Sequence, residues 1–317
     1  MNIYEQQSKN KQMTWFIMFL FIILLALVGG GFDFFYLRTG GFPIGTLIAV
    51  AISVIWVLAS YYQGDRIVLA SAGARAVNLS NLKENQLFNV VQEVSIASGL
   101  PMPVIYIIPD PDPNAFATGR NPNNSSIAVT EGLLEKLNRD ELQGVISHEM
   151  SHIKNYDIRL MMIIAALVGA IILIADLSRR AMYSLGRSRG KAKGGALPFL
   201  VIWLIFMIFA PIIARLLALA VSRKREYLAD ATGAELIRNP LALANALDKI
   251  ENSPAATKSI KQGVAHLCIA DPLGRSFTNK TGFVADLMAT HPPMDERIRR
   301  LKQMAYIYES TNINNTN

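Results

Sequence analysis

The apolar positions of this chain gather into four long runs separated by segments of mixed polarity. The first covers residues 15–36 and is free of charge until Asp33, and the second, residues 42–62, holds no charged side chain. As helices, each is long enough to cross the roughly 30 Å of hydrocarbon in a bilayer. A third run, residues 160–175, is marginal in length, and a fourth, residues 197–221, carries Pro211 and Arg215. The first run outlasts the roughly 7–15 apolar residues of a cleaved signal segment and has no small-x-small site after it, so it reads as an uncleaved anchor.

Between the runs the periodicity changes. Leu82, Leu87, Val90, Val91 and Ile96 recur at near-helical spacing and are followed by Gly99 and Pro101, which predicts a helix over residues 81–98. Residues 104–108, Val-Ile-Tyr-Ile-Ile, and residues 125–130 predict strands, and the turn-rich Asn121-Pro122-Asn123-Asn124 before the second suggests a small antiparallel sheet. Asn138 followed by Glu141 has the form of a capping box, so a helix is expected from about Arg139. No proline follows until after Asp176, and that helix is expected to run on into the third apolar run.

Composition agrees with a membrane protein: 51% of residues are hydrophobic, and the mean hydropathy is positive. The net charge of +7 does not call for a nucleic-acid partner. Arg179, Arg180, Arg187, Arg189, Lys191 and Lys193 all lie between the last two runs, where lipid headgroups account for them. The single cysteine, Cys268, excludes an internal disulfide and stands in no nucleophile motif.

The chemistry is concentrated in His148-Glu149-Met150-Ser151-His152. Side chains four apart share a helical face, so two imidazoles can meet one Zn²⁺, and Glu149 beside them can take a proton from water. With four His in 317 residues, chance would give this His-Glu-x-x-His pattern in about 0.2% of such chains, which favours the metal reading. A catalytic zinc needs a third protein ligand, yet Asn155 stands where an extended motif would place its glycine, and no third histidine follows it. Glu226 and Asp230, one helical turn apart, are the candidates: Glu226 for the metal, Asp230 to orient an imidazole. The alternative for Glu226 is an ion pair with neighbouring arginines on a solvated face.

These residues, with Asn155, Asp157, Ser222-Arg223, Thr290-His291-Pro292-Pro293 and Arg297-Ile298, resemble the HtpX group of membrane zinc metalloproteases, whose wider family includes the Ste24 CaaX-prenyl proteases. The resemblance extends over the four apolar runs, Asn114 to Gly119 and Val129 to Leu133. It implies a zincin-like (gluzincin) catalytic domain, one zinc ion per subunit on His148, His152 and Glu226, and Glu149 as catalytic base. It further implies an endopeptidase in the cell membrane, with its catalytic part in the cytoplasm, acting on misfolded or damaged membrane proteins under stress.

The expected molecule is therefore a mainly α integral membrane protein. A polar tail (1–14) precedes two transmembrane helices (15–62) and the first part of a catalytic domain (63–159). Two hydrophobic helices (160–221) joined by a basic loop (178–196) come next, followed by the second catalytic part (222–309) and a disordered tail (310–317). Both polar parts fall on one face of the bilayer whether or not the last two runs cross it. Asn155 and Asp157 are candidates to orient ligands or brace the helix, and His291 and Arg297 to stabilise an oxyanion or cap the last helix. Asn114, Ala115, Phe116 and Ala117 form a candidate edge strand for extended substrate. The rival functions are a prenyl-protein endopeptidase, which needs a chamber for a lipid chain, and a metal-binding scaffold without turnover, which has no use for Glu149.

Overall fold

The computed structural model describes residues 3–36, 42–187, 223–253, 267–270 and 292–315. The fourth apolar run, the basic stretch beyond Arg187, and His291 lie outside the described residues. Helices α1 (Ile3–Tyr36) and α2 (Ile44–Ser71) pack along each other. Both contain stretches long and apolar enough to cross a membrane, and only 33% and 17% of their most apolar windows are buried. Phe16, Phe19, Ile48, Ile52 and Ile55 lie exposed on them. A buried core helix has no such surface, whereas a helix in lipid does. At the far end of the pair Asp33 caps α2, accepting from the Gly45 and Thr46 amides at 2.7 and 2.8 Å and from the Thr46 hydroxyl at 2.7 Å.

The expected polar tail is instead the first turns of α1, because Gln6, Asn10 and Thr14 are buried against protein. The third apolar run opens a separate helix, α6 (Asp157–Arg187), whose Leu160, Met162, Ile163, Ile164 and Leu167 fill a core with Ile17, Phe21, Leu24 and Val57 of the pair. That helix also takes in residues 178–187, read from sequence as loop; no proline intervenes and Arg180 pairs with Asp176 at 2.7 Å along the same face. Where α1, α2 and α6 reach the catalytic end, aromatic rings and cations form a collar. Trp15 stacks on Tyr61 at 6.0 Å, Arg159 lies 5.8 Å from Tyr61 and 5.0 Å from Tyr156, Lys11 4.4 Å from Tyr156, and Arg120 5.1 Å from Tyr62. Such amphipathic groups belong at a membrane–water interface.

Beyond the collar, α3 (Leu82–Ser98) is held by an Asn81 cap and ends at Gly99 with φ of 67°. Strands β1 (Arg75–Ala76), β2 (Val104–Ile108), β3 (Ala115–Asn121) and β4 (Asn124–Thr130) form one sheet in the order β1-β2-β4-β3. The sheet is mixed rather than antiparallel as expected: the two strands read from sequence, β2 and β4, run parallel, and the antiparallel pairs are β3 with β4 and β1 with β2. After β2 the chain crosses to the far edge through Pro109 to Pro113, and the hairpin returns β4 to the middle. Ile127, Ala128 and Val129 of β4 are all buried, as a strand covered on both faces requires. Helices α4 (Glu131–Lys136), α5 (Arg139–Lys154), α7 (Arg223–Ile237), α8 (Pro240–Glu251) and α9 (Met294–Asn315) complete the described fold. The last of these continues through residues expected to be a disordered tail, since no glycine or proline stops it. A second apolar core joins Val90, Val91 and Val94 to Ile107, Val129, Val145, Ile146, Leu247 and Leu301.

Candidate active site and metal centre

Helix α5 starts with a complete capping box: the Asn138 side chain accepts from the Glu141 amide, and the Glu141 carboxylate from the Asn138 amide, both at 2.9 Å. Lys249 of α8 adds an ion pair to Glu141 at 2.8 Å. Helix α5 lies between the sheet and α7 and α8, and every residue from Val145 to Ile153 is buried. Close crossing depends on two glycines. A Cβ at Gly144 would lie 2.6 Å from the Leu243 amide nitrogen, and one at Gly233 would lie 2.9 Å from that of His148. Gly233 shares a face of α7 with Glu226 and Asp230, so this contact brings both carboxylates up to the histidines.

The Nε2 atoms of His148 and His152 are 3.2 Å apart. The Glu226 carboxylate oxygens lie 3.7 Å from the first and 3.6 Å from the second. Each imidazole turns its other nitrogen to a carboxylate: His148 Nδ1 is 2.9 Å from Asp230, and His152 Nδ1 is 3.0 Å from Asp157. A proton on each Nδ1 leaves both Nε2 lone pairs facing each other and a buried carboxylate, a repulsive arrangement that a cation relieves. Two bonds of zinc–imidazole length at a tetrahedral angle span about 3.3 Å, close to the observed separation. His148, His152 and Glu226 thus fit a metal ion, and Glu226 is buried rather than on a solvated face.

Glu149 is also buried, and among the described residues no side chain hydrogen-bonds its carboxylate, while the Ala117 amide stands near it. Burial pushes its pKa up to about 7, helped by the charge of Glu226 and opposed by His152, the Ala117 amide and Arg297. Burial presses His148 below its ordinary value despite Asp230. For His152, burial is outweighed by the hydrogen bond to Asp157 and the charges of Glu226, Asp157 and Glu149, which raise it to about 9. Asp230, though buried, is held down to about 2 by the charge and hydrogen bonds of Arg297 and by His148.

Helix α5 does not continue into the third apolar run. It stops at Lys154, Tyr156 takes a left-handed conformation with φ of 59°, and Asp157 opens α6. In one unbroken helix Asp157, five residues on, would point away from His152; the break turns it back. Arg225 of α7 lies 3.0 Å from the other Asp157 oxygen. Asn155 is buried at the break.

Arg297 enters from α9, fully buried, with Nε and Nη2 donating to Asp230 at 2.8 and 2.7 Å and Nη1 to the Ile269 carbonyl at 3.0 Å. Besides bracing Asp230 it faces the candidate ligands directly, with Nη2 3.5 Å from His148 Nε2 and Nη1 3.9 Å from a Glu226 oxygen. β3 is an edge strand, but its first residues are already covered: Ile269 donates to the Ala115 carbonyl at 2.9 Å, and Asn114 to the Ala270 carbonyl at 3.0 Å. Asn114 and Phe116 face the β4 partner, while Ala117, next in the alternation, presents its main chain outward near Glu149. Sequence reasoning missed Asn10, Arg225, Gly144, Gly233 and residues 267–270. The signals for two were present: Gly233 follows Glu226 and Asp230 on one helical face, and Gln6, Asn10 and Thr14 repeat every fourth position.

Residues 81–305 match Peptidase family M48. The sequence is 42% identical over 308 residues to a protease HtpX homolog of Thermoanaerobacter pseudethanolicus, covering 95% of this chain and 98% of that protein. It is 41% identical over 307 residues to a protease HtpX homolog of Streptococcus gordonii, covering 95% of this chain and 100% of the relative. Among solved structures, the fold is similar to S. mikatae Ste24p, with a TM-score of 0.50 and 20% identity over 88% of this chain, which spans 62% of that larger protein.

Proposed function

Because the chain belongs to peptidase family M48 and is a membrane metalloprotease, we propose that it is a zinc endopeptidase whose single ion per subunit is held by His148, His152 and Glu226. When bound, the ion polarises the scissile carbonyl and lowers the pKa of water. Glu149 takes the proton of the attacking water and returns it to the leaving amine, and the burial that raises its proton affinity helps it hold the proton between the two steps. Asp230 and Asp157 hold the two imidazoles in the tautomer that leaves Nε2 open. The Ala117 main chain aligns an extended peptide beside Glu149. Arg297 serves the ligands through Asp230 and by its own charge beside His148 and Glu226.

A paired or helical backbone cannot lie along Ala117, so substrates are unfolded loops or tails. The collar of rings and cations supports substrates close to the bilayer, which favours misfolded or damaged proteins of the same membrane. The enzyme is a multi-pass protein of the cell membrane, with the third and fourth apolar runs adding to α1 and α2, and its site faces the cytoplasm. One observation carries the reading: three ligand atoms converge in a buried site, and beside them a buried carboxylate, Glu149, is left uncommitted. The test compares purified zinc-loaded protein with Glu149→Gln on an unfolded casein-like substrate. The variant is expected to bind zinc and lose cleavage by at least about a hundredfold. Equal cleavage by both sinks the mechanism, and zinc binding without cleavage by either favours a scaffold.

A further inference from the structure

We propose that Asn10, in the segment preceding the first membrane span, is a positioning residue of the metal centre. The inference rests on the reading of His148, His152 and Glu226 as ligands. Asn10 is buried, and its amide nitrogen donates to Asp157 Oδ1 at 2.6 Å and to the Asn155 carbonyl at 3.0 Å. Its own oxygen accepts from Gln6 at 3.2 Å, and its main-chain carbonyl accepts from Thr14 at 2.8 Å. One side chain therefore fastens both sides of the α5–α6 break.

The arrangement assigns Asn10 a task. Asp157 Oδ2 receives His152 Nδ1, while Oδ1 is shared by Asn10 and Arg225. A carboxylate held at one oxygen by the Asn10 donor from α1 and by the charge of Arg225 from α7 cannot rotate away from the imidazole bound at the other. Gln6, Asn10, Asp157 and His152 thus form a file of hydrogen bonds from the N-terminal turns of α1 to Nδ1 of a histidine whose Nε2 faces the metal site. Ordering of the carboxylate behind a ligating histidine raises metal affinity, and losing such a partner weakens it by about 10–100-fold. Gln7 docks on the same break by donating to the Lys154 carbonyl at 2.8 Å without touching Asp157, so docking and positioning can be separated.

The experiment uses the full chain in detergent micelles, stripped of metal and titrated with zinc against a chromogenic chelator, with kcat and KM measured on the reloaded enzyme. Asn10→Leu keeps the volume and removes the donor; it is expected to bind zinc about tenfold more weakly and to lower kcat with KM unchanged. Asn10→His, whose Nδ1–H occupies the place of the amide, is expected to recover most of the affinity. Gln7→Leu is expected to bind zinc as the parent does. In an Asp157→Ala background, Asn10→Leu should have no further effect. Wild-type zinc affinity in Asn10→Leu, or an equal loss in Gln7→Leu, overturns the proposal. If Asn10→Leu fails to fold, Asn10→Asp and Asn10→His decide: the aspartate sets like charge against Asp157, and equal affinity in the two overturns the proposal. Absence of zinc binding by the parent chain is a different result, which removes the metal reading itself.

Discussion

A fully buried guanidinium, Arg297, donates twice to Asp230, at 2.7 and 2.8 Å, and lies beside His148 and Glu226. Removing one partner of a buried ion pair leaves the other desolvated and unpaired, a loss of about 3–5 kcal/mol. Arg297→Leu is therefore expected to lower stability by that order in chemical denaturation and to weaken zinc binding. Arg297→Lys should recover only part of the loss, because a single ammonium cannot replace the two-pronged contact. The pairing of His148 with His152, and of Glu226 with Asp230, is legible in sequence because spacing on a helix fixes which residues share a face. The role of Arg297 is not, since it depends on α9 meeting α7 in space.

Among the helices, the approach of α7 to α5 decides whether Glu226 reaches the histidines. Gly233→Ala would set a methyl 2.9 Å from the His148 amide nitrogen, closer than real contacts allow. The expected outcome is a stability loss of about 1–3 kcal/mol together with weaker zinc binding; an unchanged zinc affinity would show that α7 can shift without moving Glu226. On the far side of the fold, Arg75 ties α3 to β1 through Glu84 at 2.8 Å. The bond to Arg75 holds the Glu84 carboxylate below its ordinary pKa against the effect of burial. A depressed carboxylate stabilises the folded state above its unfolded pKa, and that contribution disappears as pH falls through the folded value. Denaturation of the parent and Glu84→Gln should therefore differ at neutral pH and converge in acid. The helix at 82–98, the start of the next at Arg139 and the strands at 104–108 and 124–130 were readable from caps and period. The position of β4 between β2 and β3, and the break at Tyr156, were not: both depend on contacts between segments distant in sequence, and no glycine or proline marks the break.

At the scale of the whole molecule, the first turns of α1 and the catalytic residues lie together, since Gln7 and Asn10 bond to Lys154, Asn155 and Asp157. Glu5 and Lys83 are exposed, and Cys268 is buried. Cysteines placed at Glu5 and at Lys83 should thus respond alike to a membrane-impermeant thiol reagent. With the cytoplasmic orientation proposed above, both stay unlabelled in intact cells and label after permeabilisation. Opposite responses would refute a common face, and labelling of both in intact cells would reverse the orientation. Helix α1 runs without interruption from Ile3 to Tyr36, through the collar and into the membrane pair. The enzyme is consequently indivisible: its hydrophobic portion is not a tether from which a water-soluble protease could be cut free. Excising it would take away part of the scaffolding behind a zinc ligand along with the anchor.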